Sequence, residues 1–437
     1  MRIAVLALLT GVLLALAFPP AGLWPLAWVV PGLLYTLLTE SKPKFTSLSA
    51  YLFGVALYLI GAQWVRALAV PLWLLLPLFP TPIFALYGLA NGLLLPRLRT
   101  LVRPVAFALL WALFEWLRGL GTYAAPWFSL ASAHTHPTAL PLLQSVSFLG
   151  TPGFAFVVAL TSALLMEGLR RRQKTYAFAL LLPLSLLLFR APKPPSQSTT
   201  LHLALIQAGH ANESATDDYI ALSRQAALRH PELIVWPEGA ATEATISLVQ
   251  LSALARELKT PLLVGFYADG TNNRPENLAI LFDGTGKESG RYSKQRLAPF
   301  GEVYPFQHAL QPIYASFGIH HDSYRHGERP GVLTLPTGQR IGIGICFESA
   351  FPWVATKNTQ AGAQIMLFLT SDQAFGQSAA LPQHRDLAIV RAIENRRPVA
   401  QVATTGITTL IAADGTVQAA LAPGKRGILF VHAILPE

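Results

Sequence analysis

The chain has 437 residues and a net charge of +10, from 33 Lys and Arg against 23 Asp and Glu, with one cysteine. It is 52% hydrophobic and only 13% charged, with a mean hydropathy of +0.42. That is too apolar for an ordinary soluble protein of this length, and a single cysteine excludes an intrachain disulfide framework. Nearly all the excess apolarity lies before residue 190. Seven apolar segments, about 3–18, 22–39, 46–66, 70–95, 104–118, 146–169 and 175–189, read as membrane helices. Several contain Pro or Gly, which bilayer helices tolerate. The stretch 1–18 lacks a small-x-small cleavage site and reads as a first span rather than a signal peptide.

Charge orients these segments. Lys42 and Lys44 follow the second; Arg97, Arg99 and Arg103 follow the fourth; Arg170, Arg171, Arg172 and Lys174 follow the sixth. The loops between are nearly free of cations. The positive-inside rule therefore puts the N-terminus in the cytoplasm and brings the chain out on the far side after the seventh segment. Nine cations facing anionic lipid account for much of the basic balance, and no nucleic-acid partner is expected.

The uncharged stretch 119–145 centres on Tyr123-Ala124-Ala125-Pro126-Trp127-Phe128. Trp127 reads either as an interfacial anchor or as a lipid-facing wall of an active site. His134 and His136 are too few to hold a metal. Residues 191–200 are a Pro-rich, extended linker. The expected organisation is a helical membrane bundle over 1–190, the linker, and a second domain over 201–437.

The second domain alternates strands with amphipathic helices. Strands are expected at 201–207, 233–236, 261–266, 278–282, 332–335, 340–345, 364–369, 399–403, 408–412 and 427–432. Helices are expected at 217–229, 247–258 and 384–394. The pattern is a mixed-sheet α/β domain. Three chemically able side chains sit near strand ends: Glu238 after Leu233-Ile234-Val235-Trp236-Pro237, Lys294 in Tyr292-Ser293-Lys294, and Cys346 after Gly342-Ile343-Gly344-Ile345.

Taken singly, each has a plain explanation. A lone cysteine is more often a small buried hydrophobe, and a Glu or Lys in a turn is more often solvated. Taken together they supply what acyl transfer through a thiol needs. The thiol must lose its proton to act as nucleophile, and Lys294's charge favours the thiolate. A carboxylate desolvated at a strand end, here Glu238, suits the base. Lys294 and the backbone N–H of Phe347 suit an oxyanion. A cysteine outside the cytoplasm with no partner for a disulfide also favours a chemical role.

Trp236-Pro237-Glu238, Tyr292-Ser293-Lys294 with Pro299-Phe300-Gly301-Glu302, and Ile345-Cys346-Phe347-Glu348 resemble, in that order, the motifs of the nitrilase superfamily. The resemblance implies an α-β-β-α sandwich and a catalytic Glu-Lys-Cys triad of Glu238, Lys294 and Cys346. Glu302 and Glu348 would support the site. A nitrilase-type domain following a membrane bundle is similar, more narrowly, to the apolipoprotein N-acyltransferase family. The segments 114–119, 125–127, 370–376, 383–384 and 405–408 carry that likeness, and Trp127 and Phe375 fall within it as substrate-side residues. What the family implies is ping-pong transfer of an acyl chain from a phospholipid, typically phosphatidylethanolamine. It passes through a Cys346 thioester to the N-terminal diacylglyceryl-cysteine of an apolipoprotein, at a bacterial inner membrane, with the catalytic domain on the outer side. No metal or organic cofactor is implied.

The chain departs from the family pattern at Ala374, where a Trp is usual, at Thr404, and at its end. Pro436-Glu437 follow a strand where a further membrane helix is usual, so the expectation is an outer domain tethered at one end, or a shortened chain. The alternative reading is a membrane-anchored amide or nitrile hydrolase, in which water takes the thioester. A transporter with an outer binding domain fits poorly, because the apolar segments carry few charges, Glu115 being the clearest.

Overall fold

The structure, a computed structural model, describes residues 2–190, 199–210, 215–316 and 318–436. The expected linker lies almost wholly outside the described residues. Contacts divide the chain into two units. One is Met1–Ala191 with Ser378–Glu394; the other is Pro192–Gln377 with Asn395–Glu437.

The first unit is helical. Three of its segments, Pro43–Gly61, Val70–Arg97 and Val146–Arg171, are long and apolar enough to cross a membrane. The other apolar stretches form shorter helices, among them Arg2–Ala15, Val30–Glu40, Arg103–Leu117 and Leu181–Leu186. Proline sets many of the boundaries. Pro31, Pro43, Pro71, Pro82 and Pro104 each stand in a first turn, where the missing N–H costs nothing. Gly150, at φ 64°, kinks Val146–Arg171 just before Pro152. Two of the loop cations, Arg170 and Arg171, are paired: both contact buried Glu167, which also accepts from the Tyr35 hydroxyl at 3.1 Å.

The second unit holds thirteen strands among the described residues. In chain order they are β1 (Thr199–Gln207), β2 (Leu233–Val235), β3 (Ala241–Thr242), β4 (Leu262–Thr271), β5 (Arg274–Phe282), β6 (Glu288–Ser293), β7 (Val332–Thr334), β8 (Arg340–Ile345), β9 (Ile365–Thr370), β10 (Val399–Ala403), β11 (Thr408–Ile411), β12 (Val417–Leu421) and β13 (Gly427–Leu435). One sheet runs β13-β1-β2-β4-β5-β6, with β3 paired to β4; the other runs β12-β11-β10-β9-β8-β7. The centre of each sheet is parallel and its flanks antiparallel.

Period-two alternation builds the layers. Leu203 and Leu205 face a core shared with Ile341, Ile343, Ile345, Leu367 and Leu369 of the other sheet. Ala204 and Ile206, on the opposite face, pack with Tyr219, Leu222, Leu251 and Leu254 of the helices Ala215–Ala227 and Leu248–Leu258. Strands buried on both faces read as unbroken apolar runs, as Ile365–Thr370 does. Helix Pro352–Gln360 packs on β8. The domain is thus the expected sandwich of two packed sheets. Helix Ala380–Asn395 lies between β9 and β10 in the chain, yet through Glu394 it groups with the helical unit.

One strand that the sequence does not announce, and one whose start it misses, matter most. β6 reads Glu-Ser-Gly-Arg-Tyr-Ser, with no apolar alternation, because it lies at a sheet edge with half its side chains outward. β5 begins four residues before the expected 278 and so takes Asn277 into the ladder, opposite Tyr267.

Candidate active site

Strand ends place the chemistry. β2 stops at Val235, and Trp236 is locked in the outer core by its stack on Tyr219 at 5.3 Å and its indole bond to Ser223 Oγ at 2.8 Å. Glu238 follows in the turn. That turn lies directly against Gly265 of β4, where a Cβ would run into the Pro237 carbonyl and come within 2.7 Å of the Glu238 Cα. Only glycine lets the turn sit there. Lys294 continues β6 by one residue, its N–H donating to the Asn277 carbonyl at 2.9 Å. Cys346 follows β8 at φ 51°, in the left-handed region that a non-glycine residue seldom adopts. Strain of this kind is most often kept where it serves a function.

The side chains converge in one buried cluster. Lys294 Nζ donates to Glu238 Oε1 at 3.0 Å and to Glu302 Oε1 at 2.9 Å. Asn277 Nδ2 donates to the same two oxygens, each at 2.7 Å. The remaining oxygens are met by backbone: Ser371 N–H reaches Glu238 Oε2 at 2.8 Å, and Ala298 N–H reaches Glu302 Oε2 at 2.8 Å. Glu302 Oε2 also lies 2.8 Å from Lys294 Nζ, so three carboxylate oxygens surround the ammonium. Burial by itself would favour the neutral amine. Glu238, and after it Glu302, outweigh burial and push the Lys294 ammonium well above the ordinary lysine range. Lysine here is a permanent cation.

Cys346 lies within the electrostatic reach of that cluster. Burial, then the Glu238 charge, push its thiol well above the usual cysteine value, while Lys294 pulls the other way. The sequence suggests a thiolate favoured by the lysine; the structure reverses the balance, because the half-buried thiol meets carboxylates as well as the ammonium. At rest the Cys346 sulfur is held as S–H.

Glu348 is held differently. Both its oxygens accept from the Tyr292 hydroxyl, at 2.8 and 2.9 Å. Oε1 also accepts the N–H groups of Gln295 at 2.8 Å and Arg296 at 2.9 Å, and Oε2 accepts that of Ile345 at 2.7 Å. Burial pushes this carboxyl up to about 7 despite those donors. Phe347 is half-buried, its ring edge-on to Phe351 at 5.1 Å. Phe375 is half-exposed in the turn Gln373–Phe375, directly after buried Asp372. Trp127 belongs to the helical unit, where its indole N–H donates to Gln383 Oε1 at 2.9 Å beside that of Trp64 at 3.0 Å.

Of the residues expected from sequence, Glu238, Lys294 and Glu302 are joined by direct hydrogen bonds, and Glu348 is tied to the backbone on both the lysine and the cysteine sides. Asn277 and Tyr292 were missed as site residues. The signal for Asn277 was an amide directly before the apolar run Leu278–Phe282. The signal for Tyr292 was an aromatic two residues before the lysine in a polar edge strand. Among the described residues, no cluster of His, Cys, Asp and Glu suits a metal ion.

Comparison with known proteins places this architecture. The family described as "Carbon-nitrogen hydrolase" matches residues 202–435, so the second unit is a carbon-nitrogen hydrolase domain. The family described as "Apolipoprotein N-acyltransferase N-terminal domain" matches residues 10–164. An apolipoprotein N-acyltransferase of Geobacter metallireducens is 32% identical over 94% of this chain and 86% of its own length. One of Shewanella oneidensis is 28% identical over 97% and 88%. The C. elegans NitFhit protein aligns with 54% of this chain and 61% of its own at 19% identity and a TM-score of 0.45. The chain belongs to the apolipoprotein N-acyltransferase family.

Proposed function

We propose that this enzyme moves an acyl chain from a membrane phospholipid, with phosphatidylethanolamine as donor, to the α-amino group of the N-terminal diacylglyceryl-cysteine of apolipoproteins. The acyl group travels as a thioester on Cys346. The observation that carries the reading is the buried knot of Glu238, Lys294, Glu302 and Asn277 acting on a strained strand-end thiol, in a chain that also carries membrane-length helices. An enzyme acting on small soluble amides has no use for such helices.

Each residue has a chemical task. Glu238 takes the Sγ proton as sulfur attacks the ester carbonyl, which its charge and its hydrogen-bonded position suit it to do. The carbonyl oxygen becomes an oxyanion, stabilised by the charge of the Lys294 ammonium and by the Phe347 backbone N–H. Collapse expels the lysophospholipid alkoxide, which recovers the proton from Glu238 and leaves Cys346 acylated. The acceptor amine then attacks the thioester and gives its proton to Glu238. The departing thiolate takes that proton back, so the enzyme returns unchanged with an amide formed. Glu302 and Asn277 keep Lys294 and Glu238 at fixed separation throughout. A permanent ammonium stabilises charge in both steps without itself transferring a proton.

Trp127 and Phe375 serve the substrate side. The catalytic unit works outside the inner membrane, with the N-terminus in the cytoplasm, as the distribution of cations in the loops supports. The test is direct: the full chain in detergent, given phosphatidylethanolamine and a diacylated lipopeptide with an N-terminal cysteine. The product is expected to gain one acyl chain, and Cys346→Ala is expected to give none. Turnover of small amides without acylation of the lipopeptide would overturn the reading.

A further inference from the structure

Glu348 is met by four donors, one of them shared between its two oxygens, and their sources form a pattern. Gln295 and Arg296 are the two residues after Lys294, and Ile345 is the residue before Cys346. One carboxylate therefore ties the backbone that carries the lysine to the backbone that carries the nucleophile. Its side-chain partner is Tyr292, whose hydroxyl bridges both oxygens. We propose that Tyr292 is a positioning residue: its hydroxyl fixes the Glu348 carboxylate at the point from which it staples the Lys294 segment to the Cys346 segment.

The chemistry of the knot favours an anion. All four groups that contact it, one phenol O–H and three backbone N–H, are donors, so a protonated Glu348 has nowhere to give its own proton unless the phenol turns round. Bonds to a carboxylate are also the stronger kind. Burial, then the Glu348 charge, push the Tyr292 hydroxyl far above its ordinary value, so the phenol stays protonated and able to donate. The ring itself is buried among Leu333, Ile343 and the rest of the inter-sheet core, which holds the hydroxyl in place. The Lys294 ammonium, also facing Glu348, favours the anion. The guanidinium of Arg296 lies over the Phe351 ring at 4.5 Å. Tyr292 counters the burial that lifts Glu348 to about 7, and so extends the pH range in which the staple is intact.

This inference rests on the acyl-transfer reading only for its main readout. The experiment follows the rate of Cys346 acylation by phosphatidylethanolamine from pH 5.5 to 9 in the full chain. It compares wild type, Tyr292→Phe, Glu348→Gln and the double variant. Tyr292→Phe keeps the ring and removes the one hydroxyl. Its acid limb is expected to move up by roughly one pH unit, so that its rate falls most below neutrality and recovers as the pH is raised. Glu348→Gln cannot titrate, and adding Tyr292→Phe to it is expected to cause no further shift. A Tyr292→Phe loss that is equal at every pH, or a shift that persists in the Glu348→Gln background, would overturn the proposal. If the wild type never acylates, the acyl-transfer reading fails instead. The rate at which iodoacetamide alkylates Cys346, followed by mass, then gives the same four-way comparison without lipid. The same outcomes decide it.

Discussion

Two buried carboxylate sites stand within the catalytic unit, and they are built on opposite principles. Glu238 and Glu302 are held by a cation and a side-chain amide, Lys294 and Asn277. Glu348 is held by a phenol and three backbone N–H groups. In the proposed mechanism the first arrangement holds fixed charge where a proton and an oxyanion are handled. The second uses one charge to fix the path of two backbone segments. A buried ion pair is seldom worth its desolvation as a device for stability, so the first site is best understood as kept for chemistry. The second is kept for geometry, and its cost shows as a carboxyl pushed up to about 7.

If that division is right, the variants should separate rate from stability. The largest effect belongs to the charged site. Glu238→Gln keeps the shape and loses the base, and acylation is expected to slow by roughly 10²- to 10⁴-fold while the fold persists. Steady acylation kinetics across substrate concentrations check this. A variant that merely unfolds would contradict the assignment.

Lys294→Met is expected to strand two buried carboxylates. The cost should be about 3–5 kcal/mol in chemical denaturation, with Asn277 left as their one side-chain donor. A loss well under 1 kcal/mol would mean that water reaches the cluster and that the first site is not dry.

The second site should declare itself through pH. An unfolded Glu348 titrates near an ordinary carboxyl, and the folded one near 7. As pH rises between those values the unfolded chain releases its proton first. This group's contribution to stability is therefore full at the acid end of that window and is lost as pH rises through about 7. The loss is on the order of 3 kcal/mol. Glu348→Gln is expected to flatten the unfolding midpoint across pH 4.5–7. Unchanged slopes would show that Glu348 is not the group being paid for.

The smallest effect lies in the helical unit. Trp127→Phe removes one indole bond to Gln383 while Trp64 keeps its own. The expected cost is about 0.5–1.5 kcal/mol, seen as a drop of a few degrees in the unfolding midpoint in detergent.

Much of this was readable in the residues. Strands such as 201–207 and 340–345 announce themselves by β-branched and leucine-rich runs, and Cys346, Glu238 and Lys294 stand where such runs stop. Glu302 and Glu348 came with the same motifs. What escaped is what pairing alone decides. Asn277 enters the site because β5 starts early and registers Asn277 against Tyr267. Tyr292 reaches Glu348 because an outwardly polar edge strand turns that one ring inward. Trp127 meets Gln383 across 256 positions of sequence, and no local pattern records that contact. The seven apolar segments were legible as helix-forming, but proline divides some of them into pieces shorter than a bilayer needs.

The central claim is that Cys346 carries the acyl group, and intact-mass spectrometry of the purified full chain tests it most directly. After incubation with phosphatidylethanolamine, the wild type is predicted to gain the mass of one acyl chain. Hydroxylamine should remove it, a diacylated lipopeptide should discharge it, and Cys346→Ala should never acquire it. A wild-type chain that acylates the lipopeptide with no acyl adduct, or an adduct that persists in Cys346→Ala, would contradict the account.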